Sequence, residues 1–235
     1  MIVYYRISDV GYQKVKAPYI NNENCLRNFI KNFFGQYDEL SHIKVLADNV
    51  CEDTFKMIKK YVPEQHIINC NKGSGAQTFN VVLDMALTQK DDEIVYFVEN
   101  DYIHRKRSQE VMAGGFDLGA SFVCLYDHPD KYLDGSRGGN PLIEDGGEET
   151  KVFLSKSCHW KLTNSTTMTF ASKVETLRKA EPTFRKWTSG TYPEDFKMFL
   201  DLRERGYSLI SPIPSYATHG DAPWLAPLID WSREI

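Results

Sequence analysis

Between Ile2 and Val98 the chain alternates apolar, β-prone runs with segments of helical spacing, and this alternation constrains the fold more than any other feature. The strand-like runs are residues 2–7, 43–47, 66–70 and 93–98. Between them, residues 22–34 repeat apolar side chains at Cys25, Leu26, Phe29, Ile30, Phe33 and Phe34. Residues 52–61 do so at Phe55, Ile58 and Tyr61, with Pro63 closing the helix, and residues 76–87 at Phe79, Val82, Leu83 and Ala86. Spacings of three and four put these side chains on one helix face. A strand that returns parallel to its neighbour needs such a crossover, and crossovers are right-handed. An α/β fold with a mostly parallel central sheet flanked by helices is therefore expected.

Ligands of open α/β sheets bind beyond the carboxyl ends of the strands, so the strand tips come first. The fourth run ends abruptly, Val95-Tyr96-Phe97-Val98 giving way to Glu99-Asn100-Asp101. Residues two apart on an extended segment point the same way, so Glu99 and Asp101 can face one ion. Hard oxygen donors suit Mg²⁺ or Mn²⁺, which leave their remaining positions to water and phosphate. Asp101 is the better direct ligand, with Glu99 acting through water or on a ribose hydroxyl. Asp48 ends the second strand, where a carboxylate accepts from a base or ribose, or caps a turn with Asn49. Arg6, near the end of the first strand, faces a phosphate or pairs with an acid. Lys72-Gly73-Ser74-Gly75 either lets the backbone approach a nucleotide or is a plain tight turn.

The second half is less regular. Residues 120–126, 152–154, 166–171 and 209–213 read as strands, and 174–179 and 193–205 as helices. Residues 127–150 are rich in Gly, Asp and Pro and read as a long mobile loop able to order over a ligand. Pro193-Glu194-Asp195 opens a helix. Acids there are stabilised by the helix dipole, and such a carboxylate can also serve as a general base. Thr218-His219-Gly220-Asp221 follows a strand and a Pro-containing turn; His219 can ligate a metal or donate to phosphate. His128 with Asp130 is a similar pair. Trp160, Trp187, Trp224 and Trp231 all lie in this half, to pack a core or to stack against sugar rings.

A chain of 235 residues with 42% hydrophobic content suits one globular domain, 1–235, with a nucleotide-binding half (1–101) and an acceptor half (102–235). The net charge of −4, with one short basic run at 105–107, argues against a nucleic-acid partner. Five scattered cysteines, odd in number and without a Cys-x-x-Cys pair, argue for reduced thiols rather than a disulfide framework or zinc site. The sequence from Met1 to Arg6 lacks a signal-peptide pattern, and no apolar run is long enough to span a bilayer, so a soluble cytoplasmic protein is expected.

Taken together, the strand–helix alternation, Asp48, Glu99-Asn100-Asp101, Glu194-Asp195 and His219 resemble the nucleotide-sugar glycosyltransferases of the GT-A fold. More narrowly, Tyr5-Arg6-Ile7-Ser8-Asp9, the run from Trp160 to Met168 and Ala217-Thr218-His219-Gly220 are similar to the N-terminal glycosyltransferase domain of a large chlorella-virus protein and its bacterial relatives. Two departures stand out. The first strand lacks the Pro-x-Tyr-Asn ending common in family 2 transferases, and the metal motif begins with Glu instead of Asp. The resemblance implies an inverting transfer from a UDP-linked sugar to a glycan or other hydroxyl acceptor. It places Mn²⁺ or Mg²⁺ on Asp101 and His219, the base on Asp195, and the nucleotide beside Arg6, Asp48, Ser74, Glu99 and Asn100.

Two other readings remain. A sugar-phosphate nucleotidyltransferase shares the α/β half and the metal carboxylates but carries a glycine-rich, basic signature after its first strand. Here that place holds Ser8-Asp9-Val10-Gly11-Tyr12. A non-catalytic nucleotide-sugar or glycan-binding module needs no base at all.

Overall fold

A computed structural model of the chain describes residues 1–10, 14–34, 37–144 and 146–235. Gly11 and Tyr12 of the loop after the first strand, and Asp145 of the 127–150 segment, lie outside the described residues.

The first half follows the alternation. Strands β1 (Ile2–Ser8), β2 (Ile43–Asp48), β3 (Ile67–Cys70) and β4 (Ile94–Glu99) are joined by helices α1 (Asn22–Phe29), α2 (Glu52–Tyr61) and α3 (Gly75–Leu87). A π-helical turn, Ile30–Phe34, continues α1. Side-chain oxygens of Asn21 and Ser74 cap α1 and α3 by accepting from the third backbone amide onward. The strands are parallel in the order β3-β2-β1-β4, and Ser8 lies opposite Asp48 while Arg6 lies opposite Glu99. The tips therefore end on one edge.

The second half adds β5 (Tyr102–His104), α4 (Ser108–Phe116), β6 (Phe122–Val123), β7 (Val152–Leu154), β8 (His159–Leu162) and β9 (Phe170–Lys173). Helices α5 (Val174–Trp187) and α6 (Asp195–Glu204) and strands β10 (Leu209–Ile213) and β11 (Ala217–His219) complete it. The main sheet is continuous and nine-stranded, β3-β2-β1-β4-β9-β6-β10-β8-β7, turning antiparallel at β4–β9. A separate two-stranded sheet pairs β5 with β11, Tyr102 opposite His219.

Period-two alternation along the buried strands divides the core between the two faces. Val3, Tyr5, Ile7, Tyr96 and Val98 pack with Phe29 and Phe33 on one side. Tyr4, Val95 and Phe97 pack with Phe79, Phe170, Phe184 and Phe199 on the other. Within the first layer His104 is fully buried beside the Tyr96 hydroxyl, 2.8 Å away, and burial pushes its pKa down to about 3, so this histidine stays neutral.

Several boundaries differ from the sequence reading. The helix expected at 174–179 runs to Trp187, through Pro182. Strand pairing within 120–126 is confined to Phe122–Val123, and the strand expected at 166–171 starts at Phe170. Helix α4 was hidden by Gly114 and Gly115. Gly115 is small because a Cβ there would sit 3.0 Å from both Trp160 and Val123, so the glycine is a packing requirement and not a break. Three-residue strands such as β5 and β11 carry too little periodicity to read.

The 127–150 segment is expected to be a long mobile loop; among its described residues, buried charges tie it to the sheet. Lys161, on β8 and 2% exposed, bridges Asp127 at 3.0 Å and Glu148 at 3.3 Å. Lys131, equally buried, pairs with Asp130 at 3.2 Å and donates to Ser165 at 2.8 Å. Asn140 and Asn164 exchange hydrogen bonds, and Ile143 is buried. Removing one partner of a buried ion group strands the others in low dielectric. Lys161→Met is accordingly expected to destabilise the fold by roughly 3–5 kcal/mol, measured by urea denaturation; a loss below about 1 kcal/mol would show that the cluster does not anchor the segment.

Candidate active site

The site forms where the tip of β4 meets β11. The chain turns at Asn100 and Asp101, and the β5–β11 pairing then brings His219 back against that turn. Gly220 permits the approach: a Cβ there would lie 2.5 Å from Ile20 and 2.9 Å from the Asp101 carbonyl. His219 Nε2 lies 3.1 Å and Lys16 Nζ 3.2 Å from the same oxygen, Asp101 Oδ2.

The electrostatics follow from this crowding. Burial opposes the charge on Asp101, but His219 and Lys16 outweigh it and hold the carboxyl well below its usual range. Burial likewise opposes charge on His219, and Asp101, helped by Glu99, overcomes it and raises the imidazole. Glu99 faces the same cleft with different partners. It pairs with Arg6 at 3.5 Å and accepts from the Thr169 hydroxyl at 3.3 Å.

Asp195 opens α6, half-buried, with its carboxylate accepting from the Phe196 amide at 2.8 Å. Burial first, and the Glu99 charge second, push its pKa up to about 6, against the smaller pull of that amide and of Lys14 and Lys131. The Glu99 charge thus reaches both Asp195 and His219, the partner of Asp101, and the two aspartates are driven in opposite directions. Groups separated in this way divide acid and base roles.

The remaining predicted residues are placed differently. Asp48 is 3% exposed, and its oxygens accept from the Lys72 amide at 2.6 Å, the Gly73 amide at 3.0 Å and the Thr78 hydroxyl at 3.2 Å. It fixes the Lys72–Gly73 turn, where Gly73 has a φ of +63°. Ser74 caps α3 and donates to the Thr191 carbonyl, tying this turn to the loop before α6. Asn100 donates to Asn22 at 2.5 Å and to the Ser8 carbonyl at 3.4 Å. Arg6 donates to the carbonyls of Gly75 and Met168, both at 3.2 Å. The structure thus brings Glu99, Asp101 and His219 together at the β4 tip, with Asp195 within reach of the Glu99 charge. It sets Asp48 two strands away on β2, about 10 Å by strand spacing, and puts Ser74 beside Thr191 on the loop before α6.

Sequence reasoning missed Lys14 and Lys16. The available signal was a Lys-x-Lys pair in the loop after β1. Of the tryptophans, Trp160 and Trp231 are core. Trp224 stays partly exposed, its ring 5.4 Å from that of His128, which in turn pairs with Asp130 at 2.9 Å.

Among the described residues no three His, Cys, Asp or Glu side chains gather into a metal cage. Carboxylate and imidazole are donor types that a divalent ion accepts beside phosphate and water, but Asp101 and His219 face each other directly at 3.1 Å and would have to part to admit one.

No family model matches the sequence, and no curated protein matches it. Solved structures do. GalNAc-T7 with UDP, GalNAc and Mn²⁺ aligns at a TM-score of 0.58 and 11% identity, over 92% of this chain and 43% of that one. S. aureus TarS 1–349 in complex with UDP-GlcNAc aligns at 0.51 and 14%, over 92% and 58%. A CMP:2-keto-3-deoxy-manno-octonic acid synthetase complexed with CTP aligns at 0.49 and 10%, over 89% and 88%. The chain spans less than two thirds of the GalNAc-T7 and TarS chains. Among the described residues no helix is long and apolar enough to cross a membrane.

Gly220→Ala tests the packing behind the Asp101–His219 contact. It is expected to cost about 1–3 kcal/mol by overpacking, read by urea denaturation; a neutral substitution would mean the two segments are not held this closely. The fold that carries this cleft is a GT-A-like α/β fold with a mixed central sheet.

Proposed function

We propose that the chain is an inverting glycosyltransferase that moves a sugar from a nucleoside-diphosphate sugar, UDP-linked, to a hydroxyl of a glycan or similar acceptor. The observation that carries this reading is the gathering of Asp101, His219 and Glu99 at the β4 tip, with Asp195 opening α6 within reach of the Glu99 charge. Asp101 is held charged beside His219, and Asp195 is raised toward neutrality across from Glu99. A site for in-line displacement uses both: a carboxylate that can hold a cation against the leaving group, and a base poised near neutral pH on the acceptor's side. The likeness to GalNAc-T7, crystallised with UDP and Mn²⁺, supports the donor class and the metal.

Asp195 takes the proton from the acceptor hydroxyl while that oxygen attacks the anomeric carbon. The bond to the diphosphate breaks on the opposite face, so the configuration inverts. Asp101 and His219 would hold a divalent ion, Mn²⁺ or Mg²⁺, which when bound neutralises charge on the departing diphosphate. Arg6 keeps Glu99 oriented beside the sugar. Asp48, by fixing the Lys72–Gly73 turn, and Ser74 and Asn100, by joining neighbouring loops, shape the surface on which the nucleoside rests.

The test is product analysis with a panel of nucleotide-sugars and Mn²⁺. Release of nucleoside diphosphate with a glycosylated acceptor supports the reading; pyrophosphate from a nucleoside triphosphate and a sugar phosphate would replace it with nucleotidyl transfer. Asp195 must be ionised to act, so kcat is expected to fall as the pH drops through about 6. Asp195→Asn is expected to lower kcat by roughly 10²–10⁴-fold with UDP affinity kept. An unchanged acid limb in that variant would remove Asp195 from the mechanism.

A further inference from the structure

Lys14 and Lys16 sit two residues apart on an extended stretch whose backbone is joined to the segment after β11. The Ala222 amide donates to the Val15 carbonyl at 2.8 Å and the Ala17 amide to the Gly220 carbonyl at 3.2 Å. Alternation along that stretch sends both lysines to one side. Lys16 reaches Asp101 at 3.2 Å, and Lys14 reaches Asp221 at 3.5 Å.

The pairs are lopsided in exposure. The Asp101 and Asp221 side chains are 15% and 12% exposed, whereas Lys16 and Lys14 are 34% and 43% exposed. The carboxylates are fixed in the wall, and the ammonium groups form its open surface. Lys16 also shares its acceptor: His219 is on the same Asp101 oxygen. Two donors divide that one oxygen, so neither holds it fully, and a phosphate nearby attracts the ammonium. A lysine makes this exchange readily, because its point charge on a flexible stem has no directional fork to realign.

We infer that Lys16, supported by Lys14, is a diphosphate-binding residue: it neutralises Asp101 before the donor arrives and passes to the phosphate oxygens of the bound nucleoside diphosphate. This rests on the donor-site reading above. It makes nucleotide affinity depend on a side chain of the chain itself, separately from any divalent ion.

Calorimetric titration with UDP, in EDTA and again with Mn²⁺, separates the two. Lys16→Gln is expected to weaken UDP binding by about tenfold in EDTA, and Lys16→Arg to restore most of it, with all three proteins matched for thermal stability. If Lys16→Gln binds UDP as the parent does, the lysine has no role in phosphate binding and the donor site stands without it. If the parent binds UDP in neither buffer, the donor reading and this inference both fail.

Discussion

The contact on which the site depends is the buried ion pair between Asp101 and His219. A carboxylate drawn out of water at a strand tip is costly unless a partner and hydrogen bonds meet it there. Here the partner comes from more than a hundred positions along the chain, delivered by the small β5–β11 sheet and seated by a glycine that lets two backbones touch. Without that second sheet, Asp101 would be an ordinary solvated turn residue. The main sheet supplies the tip and the small sheet supplies what faces it.

The same arrangement explains why neighbouring acids behave differently. Asp101 has two cations on one oxygen. Glu99 is held by Arg6 and Thr169, so it contributes field to the cleft more than a ligand. Asp195 has burial and the Glu99 charge against it, with only partial relief from an amide and distant lysines. The spread in proton affinity between Asp101 and Asp195 arises from position alone, since both are aspartates. Elsewhere in the second half, the buried Lys161 and Lys131 tie Asp127, Asp130 and Glu148 to the sheet.

How much of this was legible depended on range in sequence. The parallel half was readable because its strands are buried on both faces and its helices carry apolar stripes, each a local signal. Glu99, Asp101 and the helix-opening Asp195 could be singled out because strand tips and helix starts mark themselves. Helix α4 was not, since Gly115 answers to Trp160, a partner far along the chain. Nor was the anchoring of 127–150, whose Gly- and Asp-rich composition resembles a mobile loop while Lys161 on β8 decides the outcome. Asp48 and Ser74 sat at the right edge, but the structure engages them in capping, and Lys16 gains meaning only once β11 lies beside it.

The most direct measurement is a crystal structure of the chain soaked with UDP and Mn²⁺. The account predicts the diphosphate beside Asp101 and His219, the nucleoside over the tips of β1 and β2, and the Asp195 carboxylate facing the open side of the cleft. Nucleotide bound on another surface, or a diphosphate that leaves the Asp101–His219 contact untouched at a distance, would contradict it.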